Sequence, residues 1–246
     1  MIADPAAQLR LLDLQASDTA LAQLRHRRVS LPELAAITAA GQKFDALQMQ
    51  VFELQASRDD LAGEQRRLEN DVDAVRTRAG RDEQRLAGGG LPSKELESLQ
   101  HEITSLARRQ ASLEDELLEV MDKFETADAE LRKLSAARDE VDAERAECER
   151  LRDAAFVEID EATAKQQADR RVIAAGVMPE LLALYEKVAS ANGGVGAAAV
   201  KHRRCEGCRL ELAGHELTAV RNAAPDEVLR CENCRRILVR TAESGL

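Results

Sequence analysis

The sequence predicts a mostly α-helical protein: a long antiparallel coiled-coil hairpin, followed by a small β domain built around cysteines. Three observations carry this expectation. Apolar residues recur on alternating steps of three and four through much of the 246-residue chain. Only five residues are aromatic (Phe44, Phe52, Phe124, Phe156, Tyr185) and none is tryptophan, whereas 33% are charged. Four of the five cysteines form two Cys-x-x-Cys pairs near the C-terminus. A compact enzyme of this length fills its core with rings and interrupts its helices with Gly- and Pro-bearing loops. A chain rich in Ala, Leu, Glu, Gln and Arg, with five prolines, reads instead as long helices. Its 44% hydrophobic content is too high for a disordered acidic tail.

The first helical arm is read from the seam Phe44, Leu47, Val51, Leu54, Leu61, Leu68, Val72, Val75, Ala79 and Leu86, interrupted at Arg58, Gln65 and Asp82. It extends backward through Ala40 and Ile37 and fades near Pro32. The second seam is Leu96, Leu99, Ile103, Leu106, Leu113, Leu117, Val120, Phe124, Ala127, Leu131, Leu134, Val141 and Cys148, interrupted at Gln110, Arg138 and Arg145. Heptads sustained over this many turns specify a coiled coil. Cys148 lies on the seam, where a thiol behaves as a small hydrophobe.

Gly88, Gly89, Gly90, Leu91 and Pro92 separate the seams. Glycines admit left-handed backbone, Pro92 cannot sit inside a helix, and Ser93 can cap the next one. The arms, about residues 6–87 and 93–175, are nearly equal, so folding back brings their far ends together. At 1.5 Å per residue each reaches roughly 120 Å, less where Pro32 bends it. Two layerings are open, pairing residues whose numbers sum to about 178 or about 185. Both place Arg58 and Gln65 opposite apolar residues; a parallel dimer would stack Arg58 on its own copy. The expected domains are a hairpin over 1–175, a short helix and linker over 176–194, and a cysteine domain over 195–246.

The net charge of −10 is unevenly distributed. Residues 195–246 hold nine Lys/Arg against seven Asp/Glu, leaving residues 1–194 at −12. The acidic arms therefore suit nucleic acid poorly, and any such role falls to the C-terminal quarter. Arg25, His26, Arg27 and Arg28 are the one dense basic patch on the arms and read as a solvated face. No stretch approaches the roughly 20 apolar residues that cross a bilayer. With no secretory signal and clustered cysteines, a reducing cytoplasm is the expected location.

Cys205-Glu206-Gly207-Cys208 and Cys231-Glu232-Asn233-Cys234 are separated by 22 residues. Two such knuckles supply tetrahedral thiolate ligation, predicting one structural Zn²⁺ per chain held by Cys205, Cys208, Cys231 and Cys234. Short β-like runs at 195–200, 210–212, 227–229 and 237–239 would form two hairpins, a zinc ribbon too small to fold on burial alone. Disulfides would need an oxidising compartment, and a redox Cys-x-x-Cys occurs singly. An iron–sulfur cluster is the weaker alternative. Four thiolates leave no open position, so the metal is not catalytic, and His202 and His215 are spare.

Lys201, Arg203, Arg204 and Arg209 crowd the first knuckle; Arg230, Arg235, Arg236 and Arg240 crowd the second. They either neutralise a metal–thiolate centre of net charge −2 or contact phosphates. The candidate nucleic-acid contacts are Lys201, Arg203, Arg204, Arg209, Arg235 and Arg236. Residues 195–246 contain no Phe, Tyr or Trp, so no ring is available to stack an unpaired base.

The segments Leu91-Pro92-Ser93-Lys94-Glu95-Leu96-Glu97-Ser98-Leu99, Cys205-Glu206-Gly207-Cys208-Arg209-Leu210 and Cys231-Glu232-Asn233-Cys234-Arg235-Arg236-Ile237-Leu238 resemble a bacterial family of coiled-coil proteins with a C-terminal C4-type zinc ribbon, once a domain of unknown function. That family's second knuckle typically continues Gly-Arg-Ile-Leu-Tyr; here Arg235 stands at the glycine and Val239 at the tyrosine. The resemblance implies zinc ligation by the four cysteines. It also implies nucleic-acid binding, or an adaptor or chaperone role toward secretion components or an alternative sigma factor. The leading expectation is a non-enzymatic adaptor docking a protein partner through the coiled coil, with no membrane and no small-molecule substrate. The alternative is a nucleic-acid-binding protein touching DNA or RNA phosphates through the ribbon.

Overall fold

A computed structural model describes residues 1–246. The chain is organised as two compact units, one of residues 36–148 and the other of residues 1–35 with 149–246. The elements in order are α1 (Pro5–Val29), α2 (Pro32–Ala87), α3 (Ser93–Ala175), α4 (Pro179–Ala191), β1 (Ala197–Lys201), β2 (Arg204–Cys205), α5 (Gly214–Asn222), β3 (Leu229–Arg230) and β4 (Ile237–Val239). No helix is long and apolar enough to cross a membrane.

In the unit of residues 36–148, α2 and α3 pack antiparallel along the predicted seams. Leu68, Val72, Leu113 and Val120 are buried together, with Leu61, Val75 and Leu117 against them. The cross-arm contacts Arg58–Asp128 and Arg138–Gln48 match the layering that sums to about 185. The polar seam residues are accommodated by ring faces as well as aliphatic neighbours. Arg58 lies over Phe124 at 4.9 Å, with its Nε 3.4 Å from Asp128, and Arg145 lies over Phe44 at 5.0 Å. An arginine cannot be dehydrated in a seam without a partner; a ring face with an adjacent carboxylate supplies one. Arg76–Glu114 at 3.1 Å and Arg78–Glu102 bridge the arms nearer the turn. There Gly89 and Gly90 have φ of 68° and 78°, the left-handed backbone that required glycine. The Pro92 carbonyl accepts the Glu95 and Leu96 amides as α3 begins.

In the other unit, Asp4 caps α1 by accepting the Ala6 amide at 2.6 Å, with Pro5 at the first helical position. The helix ends where the Ser30 amide turns back to the His26 and Arg27 carbonyls, and Pro32 opens α2. The expected bend is thus a complete helix break. Leu11, Leu14, Leu181, Tyr185, Val188, Ala197, Ile237 and Val239 form one buried core joining α1, α4 and the strands.

The strands form one sheet in the order β2-β1-β4-β3. Two antiparallel hairpins form, but the first pairs β1 with β2 at 204–205 and not with the expected run at 210–212. Hairpins β1–β2 and β3–β4 are joined by a parallel β1–β4 pairing, with Ala197 opposite Ile237 and Ala199 opposite Val239. The predicted run at 210–212 contributes only a bridge between Glu211 and Arg204. Helix α5, not anticipated between the knuckles, buries Glu216 and Val220. The N-terminus also joins the sheet margin: Ala3 donates to the Asp226 carbonyl at 2.7 Å, and Val228 donates to that of Met1 at 3.0 Å.

Candidate metal centre

The two knuckles are built alike. Cys205 donates its amide to the Leu210 carbonyl and its own carbonyl accepts the Arg209 amide at 2.7 Å. Cys231 repeats this with Arg236 and with Arg235 at 2.8 Å. The repeat needs left-handed backbone directly after each knuckle, and Arg209 and Arg235 provide it at φ of 61° and 64°. Two residues within each loop then direct both thiols to one side.

All four sulfurs lie within 4.8 Å of one another, with Cys205–Cys234 at 3.8 Å and Cys208–Cys231 at 3.9 Å. A tetrahedron with metal–sulfur bonds of about 2.3 Å has edges of about 3.8 Å, close to the separation of the two pairs Cys205–Cys234 and Cys208–Cys231, so the cluster suits Zn²⁺. Cys205 and Cys231 are buried, and Cys208 and Cys234 are half-buried. Burial pushes the Cys205 thiol well above its ordinary range, against the downward pull of the Cys208 and Gly207 amides. Burial likewise pushes Cys231 up to about 11. At Cys234 burial acts upward most strongly, but hydrogen bonds from the Arg236 amide and side chain and from the Cys231 and Cys205 thiols together draw the thiol down to about 7. Such a pocket holds thiolates only against a cation, the role a zinc ion fills. Cys148, on α3 within residues 36–148, is not part of the cluster.

The basic residues expected at the surface divide into two groups. Lys201 pairs with Glu243 at 2.7 Å, and Arg203 donates to the Gly245 carbonyl at 3.1 Å. Both are held by the C-terminal tail, which also receives the His202 and Arg203 amides from the tight β1–β2 turn, where both residues have positive φ. Arg236 turns inward and donates to the carbonyls of Asn192, Val195 and Gly207 at 3.1–3.2 Å. Arg240 similarly gathers the carbonyls of residues 220, 223, 224, 225 and 227. Arg204, Arg209 and Arg235 stay exposed.

Sequence reasoning missed two supports of the centre. Glu216 on α5 is 3% exposed and its Oε1 accepts the Glu232 amide at 2.9 Å, bracing the second knuckle. Gln15 on α1 accepts the Gly196 amide at 2.7 Å and donates to the Gly194 carbonyl at 3.1 Å, fixing the entry to β1. The Gly-Gly linker signalled a turn there, but nothing local signalled its partner 181 residues away.

Residues 14–193 match the model of the CT398-like coiled coil hairpin domain, and residues 204–238 match that of a C4-type zinc ribbon domain. The chain belongs to the CT398-like coiled-coil hairpin family. An uncharacterized protein of Mycobacterium tuberculosis is 39% identical over 240 residues, covering 98% of each chain. An uncharacterized protein of Mycobacterium leprae is 30% identical over 213 residues, covering 87% of this chain and 91% of the other. A solved structure from Mycobacterium smegmatis is similar with a TM-score of 0.86 at 35% identity, covering 98% of this chain and all of that one. CT398 from Chlamydia trachomatis shares the fold, with a TM-score of 0.68 at 19% identity, covering 96% of this chain and 98% of its own. Within this family fold, the four cysteines form the site of one structural zinc.

Proposed function

We propose that this CT398-like protein is a non-enzymatic adaptor whose coiled-coil arm docks a protein partner and whose zinc ribbon is structural. The observation that carries the reading is a pair of neighbouring, exposed apolar side chains on the coiled coil. Met49 and Phe52, one turn apart on the outer face of α2, are 66% and 72% exposed, with Gln48 and Glu53 beside them. A seam residue buries its ring against the other arm; an exposed Met–Phe pair off the seam is surface that a partner helix covers. The zinc centre supports the same reading, because four thiolates complete its coordination and leave no position for substrate.

The nucleic-acid reading keeps support from Arg204, Arg209 and Arg235, which remain exposed around the ribbon. It is weakened most at Arg236, whose donors are engaged within the chain, and less at Lys201, paired with Glu243, and at exposed Arg203, whose Nε is bonded to the Gly245 carbonyl. Affinity capture from the source organism's extract, with and without nuclease, separates the two. The adaptor reading expects a protein that survives nuclease and is lost from a Met49→Glu/Phe52→Glu variant. Material that instead vanishes with nuclease, and with Arg204→Ala/Arg209→Ala/Arg235→Ala but not with the hairpin variant, overturns it.

A further inference from the structure

Arg236 has more connections than a charge neutraliser requires. Nε donates to the Val195 carbonyl at 3.1 Å, Nη1 to Gly207 at 3.2 Å, and Nη2 to Asn192 at 3.2 Å. Gly207 belongs to the first knuckle, Val195 leads into β1, and Asn192 is the C-cap of α4. The Arg236 carbonyl meanwhile accepts the Cys231 amide at 3.0 Å, within the second knuckle. One residue therefore joins both halves of the metal site to the end of a helix. The stem has a matching slot: a Cβ at Gly207 would stand 2.6 Å from Arg236 Cδ and 3.1 Å from the Ala198 Cβ.

The helix at the other end is not peripheral. Leu181, Tyr185 and Val188 of α4 are buried in the core with Leu11 and Leu14 of α1. The last carbonyls of a helix have no partner within it, and a guanidinium fork satisfies one here while remaining tied to the knuckle.

We propose that Arg236 is a latch that couples zinc occupancy to the seating of α4. With both knuckles gathered on the ion, the carbonyls of Gly207, Val195 and Asn192 converge on one planar donor. Without it the two knuckles no longer share an ion, the Gly207 carbonyl is released from the fork, and α4 loses one of the contacts that hold its C-terminal end. The ribbon then reports metal status to the helices that pack on it.

Hydrogen exchange of residues 179–191 in the full chain tests this, read together with zinc content. Zinc removal by a chelator should lower protection of α4 by about tenfold or more. In its zinc-loaded fraction, Arg236→Gln should lower it to a similar level, and Arg236→Lys, a point charge without the fork, should restore only part. Gly207→Ala displaces the Arg236 stem without touching a ligand and should reproduce the Gln variant. Full α4 protection in zinc-loaded Gly207→Ala or Arg236→Gln overturns the latch. Should both variants shed zinc, the unsubstituted chain decides: exchange in 179–191 that ignores chelation overturns it, and a selective loss there supports it.

Discussion

The Tyr185 hydroxyl donates to the Asp18 carboxylate at 2.7 Å, joining α4 to α1 within the core. Arg170 of α3 closes on the same carboxylate at 2.5 Å, and the Gln15 amide oxygen lies 3.2 Å from the hydroxyl. Tyr185 is 0% exposed, and its oxygen is held as a donor between acceptors. Ionising it would bury a second negative charge beside Asp18, opposed only by Arg170.

The first prediction follows from that arrangement. Burial first, then the Asp18 hydrogen bond and charge, push Tyr185 well above the ordinary tyrosine value. An unfolded tyrosine ionises near about 10, so above that pH the unfolded chain releases a proton that the folded chain retains. Stability from this group is therefore full below about pH 10 and declines as pH rises beyond it. Tyr185 is the only tyrosine and there is no tryptophan, so near-UV absorbance of tyrosinate reports this residue alone. The signal should appear only as helix is lost, and Tyr185→Phe should flatten the alkaline decline in stability. Tyrosinate forming at its ordinary pH in an intact fold would contradict the assignment.

A second prediction concerns the interruption at Asp82. The residue is 8% exposed on the seam and its Oδ2 has no hydrogen-bond partner. A buried polar group without a partner costs about 1–3 kcal/mol, and leucine fits a seam position. Asp82→Leu should therefore raise the urea midpoint of the helical signal by a corresponding amount, while Asp82→Asn, still polar, should change it little. A lower midpoint for the leucine variant would show that the carboxylate is satisfied in solution.

These two residues mark where sequence was informative. Asp82 stood out because a heptad defines what belongs at each position, and the hairpin, its turn and the cysteine knuckles were legible for the same reason: their signals lie within a few residues. Arg58 and Arg145 were visible as exceptions, but the phenylalanines beneath them come from the opposite arm, and the layering had to be known first. The polar partners of Gln15, Tyr185 and Arg236 gave no local signal, since they lie 29 to 181 residues away. Eight basic residues near the knuckles look equivalent in one dimension. Only packing distinguishes Arg236, turned inward, from Arg235, its exposed neighbour. Helix α5 was missed because nine residues offer too few turns for a pattern.

Metal removal gives the third prediction. Zinc binds thiolate, whereas burial holds Cys205 and Cys231 toward the protonated form when no cation is present. Zinc uptake should release protons, and apparent affinity should fall as pH falls, measured by competition with a chelator. Zinc should be about one per chain, and Cys231→Ser should lose it together with the order of residues 195–246, because ribbons of this size draw on roughly 10–16 kcal/mol of metal binding. Retained ribbon order after metal loss would mean that the packing of α1 and α4 suffices.

The last prediction uses the backbone to separate charge from structure. Arg209 and Arg235 both hold left-handed φ, which costs an L-residue about 1–2 kcal/mol. Glycine removes that strain but adds about 0.5–1 kcal/mol of unfolded-state entropy, so each substitution should be neutral or stabilising by up to about 1.5 kcal/mol. Arg209→Gly/Arg235→Gly therefore deletes two exposed charges beside the zinc centre without endangering the fold. Its zinc content should remain one per chain and its thermal midpoint should be unchanged or higher. Weak binding of the protein to nonspecific duplex at low salt, if measured, should drop with a shallower salt dependence, while capture of a protein partner through the hairpin persists. A double-glycine variant that loses zinc would instead show that the two arginines stabilise the thiolate centre electrostatically by more than their backbone strain costs.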